Sequence, residues 1–496
     1  MSSLEKKPHI VIFNPDEMRA DGMRHLGNPA AATPNLDSVT AVDGVSFSGA
    51  FCQNPVCTPS RCSFMSGWYL HVRGHRSMTY MMQPDEPVLL KTLKDSGYHV
   101  WWGGKNDLIP GESSCEPYCH ERFQAKREGT RNDRKLQPFR ANDNAHAWRG
   151  EPGSDTYYSF FAGKLDTAGD TVHYDSDWAV VDEAIAQIKN RPTDKPLCLF
   201  LALSYPHPPY AVEDPWFSMI DRTKAPPRIR EWQGKSGMLR GLHERLGMDG
   251  WCEERWTELR AVYYGMCARV DHQFGMVMSA LREAGIYDDT AVFFFSDHGD
   301  FAGDYGVVEK SQNTFEDVLT RVPFVIKPPK DIPVRPGVRD ALVELIDFPA
   351  TVLELSGITP GYSHFGKSLI PLMQGVDTTH RDAVFCEGGR LAGERHCTET
   401  TAGNDEPSGM YYPRVMMHRS ESGEHGKAVM CRTRTHKYVL RLFEKDELYD
   451  LVSDPNEQKN IIDEPAMRET ALVMRERILK FFLETGDIVP HLINKR

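Results

Sequence analysis

No stretch of the chain is apolar for long enough to cross a bilayer: the longest runs, Leu197 to Leu203 and Ala291 to Phe295, are strand-sized. A basic block is missing too. Nothing offsets the formal net charge of −12, which argues against wholesale binding to nucleic acid or to an anionic membrane surface, so an anionic ligand would need positive charge gathered in a pocket. Met1 to His9 carry charge but no apolar segment of the secretory kind. The 11 cysteines are odd in number and follow no repeating spacing, which fits a reduced compartment better than a disulfide framework. A cytoplasmic location is therefore expected. Cys115, Cys119 and His120, and again His396 and Cys397, lack a second pair at finger spacing, so a metal-free loop is expected at each. Internal repeats and low-complexity segments are also missing.

What is present is an ordinary globular balance, 40% hydrophobic and 26% charged, on 496 residues. That length suffices for about three domain-sized units or one large α/β unit with additions. The strongest local patterns are β-branched or aromatic runs that end in polar clusters. His9 to Asn14 reads as a buried strand followed by Asp16 and Glu17, and Tyr98 to Trp102 as a strand followed by Gly103, Gly104, Lys105, Asn106 and Asp107. Pro196 to Ser204 is apolar on both faces, as a central parallel strand requires, and leads to His207 between prolines. Thr290 to Ser296 leads to Asp297 and His298. Ligands of open α/β sheets collect beyond the carboxyl ends of such strands, so these clusters are candidate site residues.

Helices are expected from Pro87 to Ser96 with Gly97 as its stop, from Tyr174 to Asn190, from Leu259 to Ala284, from Val343 to Gly357 and from Glu464 to Thr485. Thr33 is placed as the N-cap of the helix that Pro34 opens. His71 and His75 are four apart, but Gly74 between them argues for a loop whose polarity belongs either to the surface or to a pocket. Residues 110–170, with the basic stretch Lys126 to Lys135, and 214–252 are irregular and charged, and are expected to form the substrate entrance.

Pro55 and Pro59 make a turn before an apolar, proline-free segment, which puts Cys57 on a loop feeding a helix N-terminus, a setting that suits an anionic ester. A lone cysteine there is by default a small buried hydrophobe, and it is the pattern around Cys57 that reverses this reading. The run Cys57-Thr58-Pro59-Ser60-Arg61, followed by a short apolar helix and Gly67, resembles the sulfatase family of the alkaline phosphatase superfamily. That formylglycine-dependent family is related to arylsulfatases and phosphonate monoester hydrolases. The likeness extends through Thr33 to Asp37, the helix containing Tyr263, Tyr264, Asp271 and Gly275, and the closing Glu447 to Leu451 with Glu457 and Asn460.

The resemblance implies an α/β fold, an alkaline-phosphatase-like large mixed sheet flanked by helices, with a smaller C-terminal α+β subdomain: residues 1–375 catalytic, 376–496 a small antiparallel sheet and a closing helix. It implies hydrolysis of a small-molecule sulfate monoester, with Cys57 oxidised to formylglycine by a formylglycine-generating or equivalent maturation enzyme. Catalytic roles would fall to Cys57, Arg61, Lys105, His207 and Lys310, and Asp16, Glu17, Cys57, Asp297 and His298 would surround one divalent cation, calcium before manganese. Nucleic acid and membrane are not expected as partners; a homo-oligomer is compatible. Three residues depart from the family pattern: Glu17 replaces an aspartate, His298 stands where many members have asparagine, and Asp107 replaces a histidine. Imidazole favours transition metals, and the loss of the histidine at 107 keeps open a phosphonate monoester or phosphodiester substrate on the same fold. A non-catalytic anion-binding relative is disfavoured because Cys57, Arg61 and Lys310 are all retained.

Overall fold

Strand residues of alternating orientation, packed on both sides, account for most of the core. The structure, a computed structural model, describes residues 7–125, 134–137, 139, 147–230, 232–399, 404–420 and 422–491. Most of the basic stretch, 126–133, lies outside the described residues. In chain order the first elements are β1 (His9–Asp16), α1 (Pro34–Val42), β2 (Val45–Phe51), α2 (Cys57–Ser66), α3 (Leu89–Asp95), β3 (His99–Gly104), β4 (Glu121–Phe123) and β5 (Phe161–Lys164). Then come α4 (Ser176–Lys189), β6 (Leu197–Pro206), β7 (Tyr210–Val212), α5 (Trp216–Met219), α6 (Gly237–Leu246), α7 (Glu253–Glu283), β8 (Thr290–Phe295), α8 (Asp317–Thr320) and β9 (Phe324–Lys327). The chain continues through β10 (Gly337–Glu344), α9 (Asp347–Leu355), α10 (Ile370–Gln374), β11 (Val384–Gly388), α11 (Tyr412–Arg419), β12 (Ala428–Arg432), β13 (His436–Arg441), β14 (Glu447–Asp450) and α12 (Arg468–Thr485).

Eight strands form a mixed sheet in the order β10-β2-β9-β8-β1-β6-β3-β4. Only β9 runs against its neighbours β2 and β8; every other pair is parallel. In β1, flanked by β6 and β8, Ile10 lies opposite Cys198 and Ala291. Side chains of successive strand residues point to opposite faces. Val11, Phe13, Leu199, Leu201, Val292 and Phe294 therefore pack with α4 and α7, while Ile10, Ile12, Phe200, Phe293 and Phe295 pack with α2, α3 and α9. Each such fully buried large side chain contributes about 1.5–3 kcal/mol. α7 is buried without interruption from Leu259 to Asp271, which explains why its apolar stripe is broad rather than one-sided.

A second, antiparallel sheet has the order β11-β12-β13-β14, and α12 covers it: Phe481 stacks on Phe385 with ring centroids 4.0 Å apart. No described helix is long and apolar enough to cross a membrane.

Several local expectations change. Thr33 does not cap α1; the cap comes from Asp271 on α7, whose carboxylate accepts from the backbone N–H of Leu36 (2.8 Å) and Asn35 (3.1 Å). The span from Val343 to Gly357 is not one helix. Val343 and Glu344 end β10, which pairs with β2, and the helix begins only at Asp347. Within 214–252, α6 is a regular helix capped by Ser236, whose hydroxyl accepts from Leu239 N–H (3.3 Å).

Candidate active site

Parallel strands end on the same edge, so the loops leaving β1, β2, β3, β6 and β8 meet there. β1 ends in Asp16, and Glu17 follows in a left-handed backbone conformation (φ 70°), rare for a residue with a side chain. Three bonds hold that turn: Glu17 N–H donates to Asp297 Oδ1 (3.1 Å), Tyr263 OH donates to Glu17 O (2.9 Å), and Met18 N–H donates to Ser296 Oγ (2.7 Å).

Cys57 is the first residue of α2 rather than part of a loop before it, and Pro59 lies inside the first turn of the helix, where its missing N–H would have had no partner in any case. One helical turn later Ser60 Oγ donates to Asp297 O (2.6 Å), Arg61 Nε donates to Asp297 Oδ2 (2.9 Å), and Arg61 Nη2 lies 3.4 Å from Asp16 Oδ2. Those contacts pin α2 across the ends of β1 and β8, and every residue of α2 is buried. The Cys57 Sγ consequently lies 3.4 Å from Asp16 Oδ1 and 3.2 Å from His298 Nε2. His298 Nδ1 is 2.9 Å from Gly299 O, a contact that assigns the proton to Nδ1 and turns the Nε2 lone pair toward Cys57 and Asp16. Gly299 permits this loop because a Cβ there would sit 2.1 Å from Val318 O.

Lys105 follows Gly104 (φ 92°), where a Cβ would lie 1.9 Å from Ala202 O; its own N–H donates to that carbonyl (2.8 Å). Its ammonium group contacts Asp16 Oδ2 and lies 3.2 Å from Asp107 Oδ2. Asp107 thus pairs with the lysine of its own loop. His207 Nδ1 is 2.6 Å from Pro208 O and its Nε2 is 3.5 Å from Glu17 Oε2. Lys310 Nζ lies 2.7 Å from Glu17 Oε2 and 2.9 Å from Glu309 Oε1.

Electrostatics follows from that crowding. Burial alone would push the Asp16 carboxyl up, but Lys105, His207, Arg61 and Lys310 hold it well below its ordinary range. Glu17 goes the other way: burial, with Asp300, Glu309 and Asp16 nearby, raises it well above its ordinary range despite Lys310. Burial and then Asp16 push the Cys57 thiol well up. Burial, Lys310 and Lys105 push His207 well down.

Asp16, Cys57, Asp297 and His298 each offer a ligand atom within 4.8 Å of one another, and Asp16, Glu17 and His207 make a second such group. Glu17 Oε1 is buried with no hydrogen-bond partner. An orphaned buried oxygen is costly unless positive charge reaches it, and the set of carboxylate oxygens with one imidazole suits a divalent cation.

All nine residues singled out from the sequence converge on this edge. His71 and His75 do not. His71 Nδ1 lies 2.9 Å from Glu387 Oε1 and its Nε2 3.0 Å from Thr485 O, tying the second sheet and α12 to the large one. His75 pairs with Glu86 (2.9 Å). Three further residues, Asp300 and Glu309 buried and Arg414 partly buried, also reach the site. Asp300, pushed up to about 6 by burial, accepts from Tyr210 OH (2.6 Å); Glu309 touches Lys310; and Arg414 on α11 touches Glu309 (2.7 Å). The positions of Asp300 and Glu309 beside Asp297 and Lys310 were a local signal, whereas Arg414 had none.

A family model described as Sulfatase matches residues 8–358. An arylsulfatase of Clostridium perfringens (strain 13 / Type A) is 26% identical over 500 residues, covering 96% of this chain and 94% of that protein. Arylsulfatase K of Danio rerio is 27% identical over 390 residues, 75% of this chain and 68% of that protein. Among solved structures, a phosphonate monoester hydrolase of Agrobacterium radiobacter superposes with a TM-score of 0.75 at 20% identity, covering 98% of this chain and 100% of that one. A structure solved with its substrate D-glucosamine-2-N,6-O-disulfate superposes with a TM-score of 0.71 at 16% identity, covering 98% and 99%.

Proposed function

The chain belongs to the sulfatase family, within the alkaline phosphatase superfamily, and is a sulfuric ester hydrolase; from that premise we propose that it hydrolyses sulfate monoesters through a formylglycine made from Cys57, releasing sulfate and an alcohol. The observation that carries this reading is the position of Cys57 Sγ, 3.4 Å from Asp16 Oδ1 and 3.2 Å from His298 Nε2, inside the ligand cluster and beside the charged lysines. Its thiol is a poor nucleophile as it stands, because burial disfavours the thiolate, and that supports Cys57 as a precursor. With 1% of its surface exposed, it would be modified before the fold closes.

When present, the hydrated aldehyde supplies one hydroxyl for attack at sulfur and a second whose deprotonation expels sulfate. Asp16, Glu17, Asp297 and His298 would hold one divalent cation, calcium first and manganese second; when bound, it supplies charge that acidifies that hydroxyl and polarises the ester oxygens. Around this centre Arg61 fixes Asp297 and orients residue 57. Lys105 and Lys310 bind the sulfuryl oxygens, their charge already in place before substrate arrives, because neighbouring carboxylates outweigh the cost of burial. His207 faces the leaving oxygen. A bound anion offsets the two lysines that depress its pKa and lets the ring carry the proton the alcohol takes away.

Mass spectrometry of the Cys57 peptide is expected to find formylglycine, and Cys57→Ala to lose on the order of 10⁴-fold or more in kcat/KM on an aryl sulfate. An unmodified thiol in fully active enzyme would sink the proposal. Rates on aryl sulfate and aryl phosphonate, measured side by side, assign the ester class, with sulfate expected to be faster.

A further inference from the structure

Lys310 is held from two sides. Its ammonium lies 2.7 Å from Glu17 Oε2 and 2.9 Å from Glu309 Oε1. Glu309 is itself constrained: its backbone is left-handed (φ 62°), and its N–H donates to Tyr210 OH (2.9 Å). Both of its carboxylate oxygens accept from a single nitrogen, Arg414 Nη1, at 2.8 and 2.7 Å. Arg414 comes from α11, in the part of the chain expected to form a separate subdomain. There its Nε lies 3.3 Å from Glu399 Oε2, its guanidinium sits 4.8 Å over the Tyr411 ring, and Glu399 accepts from Gln312 (2.5 Å). Glu309, Lys310 and Glu399 are each no more than 4% exposed.

We propose that Arg414 is a positioning residue for Lys310, acting through Glu309, so that the segment 404–420 completes a site otherwise built on the large sheet. The proposal rests on the reading of Lys310 as a group that binds the sulfuryl oxygens. A lysine ammonium is a point charge on a flexible four-carbon stem, so its place is set by what surrounds it. Glu309 supplies one of two carboxylates that define that place, and without Arg414 the Glu309 carboxylate would be a buried charge balanced only by Lys310. Strain at Glu309 is the mark of a position that its surroundings over-determine.

The test uses the matured full-length protein and an aryl sulfate, with kcat, KM and the thermal midpoint measured for each variant. Arg414→Gln and Glu309→Gln are each expected to lower kcat about tenfold or more while KM changes little, because a group displaced by about 1 Å costs transition-state binding first. The double variant is expected to be no worse than the poorer single, as befits one chain of contacts. Arg414→Lys discriminates further. One nitrogen makes both Glu309 contacts, so an ammonium can replace it, whereas the Nε contact to Glu399 is lost; most of kcat should return. Wild-type kcat in Arg414→Gln, losses that multiply in the double variant, or Arg414→Lys as poor as Arg414→Gln would each overturn the proposal. If Arg414→Gln does not fold, Glu309→Gln and Arg414→Lys decide by the same criteria. Lys310→Ala separates the two levels: if it keeps full activity, the reading of Lys310 falls, and if it is impaired while Glu309→Gln and Arg414→Gln are not, only the relay falls.

Discussion

At Cys57, burial and a neighbouring carboxylate suppress the thiolate, which leaves the thiol itself a weak nucleophile. Asp16, Glu17 and Asp297 are fully buried, and Glu17 has an oxygen without a partner. Arg61, Lys105 and Lys310 offset part of that negative charge, and a bound cation would offset more of it. Calcium or manganese is accordingly expected to raise the thermal midpoint of the protein, by about 2.7 kcal/mol of stability at 100-fold excess over Kd. Asp297→Asn should abolish that shift, as read by differential scanning fluorimetry; an unchanged shift would place the cation elsewhere. Residue types were legible at this scale because Asp16, Glu17 and Asp297 sit at the end of a recognisable strand or just past it. Asp107 was legible only as a departure, and its pairing with Lys105 required the fold of the loop around Gly104.

Among the elements, α1 shows how a local rule yields to a distant residue. Thr33 has the right chemistry and position for a cap, yet its hydroxyl is engaged with Arg24 N–H (3.0 Å) and Asp37 (3.3 Å), and Asp271 of α7 takes the free N–H groups instead. Asp271→Ala should cost about 1–3 kcal/mol in chemical denaturation, for a lost cap whose N–H groups stay buried. Thr33→Ala should cost less, and the reverse order would return the cap to Thr33. β10 escaped detection for a related reason. As an edge strand, its first half is exposed or half-exposed and carries Arg339 and Asp340, so the apolar signal begins only at Ala341 and merges with that of α9. α6 and α11 are short and lie in polar segments whose periodicity is too brief to stand out.

Across the whole molecule, one carboxylate joins three regions. Asp347 accepts from Glu344 N–H (2.9 Å), Lys367 N–H (2.8 Å) and Arg381 Nε (2.9 Å), and lies 3.1 Å from His380, just before β11. Burial opposes its ionisation, but Arg381 and His380 win and hold its pKa well below the ordinary value. The folded form therefore binds the proton less tightly than the unfolded chain. Its contribution is complete above the ordinary carboxylate pKa and fades as pH falls through the lower folded value. At neutral pH Asp347→Asn should be less stable by about 3–5 kcal/mol, the cost of breaking a buried pair. The gap should close in acid, and a gap independent of pH would mean that charge is not what Asp347 provides.

By itself the sequence determined the strands that carry the chemistry, the types of side chain at their ends and the family they belong to, because those depend on local alternation and on short motifs. Tertiary structure alone decided which distant groups share one charge-balanced site. Glu309 and Arg414 are neighbours only because the second sheet and α11 close against the large one. Contacts between residues a hundred positions apart arise from packing, and packing leaves no periodic trace in either segment alone.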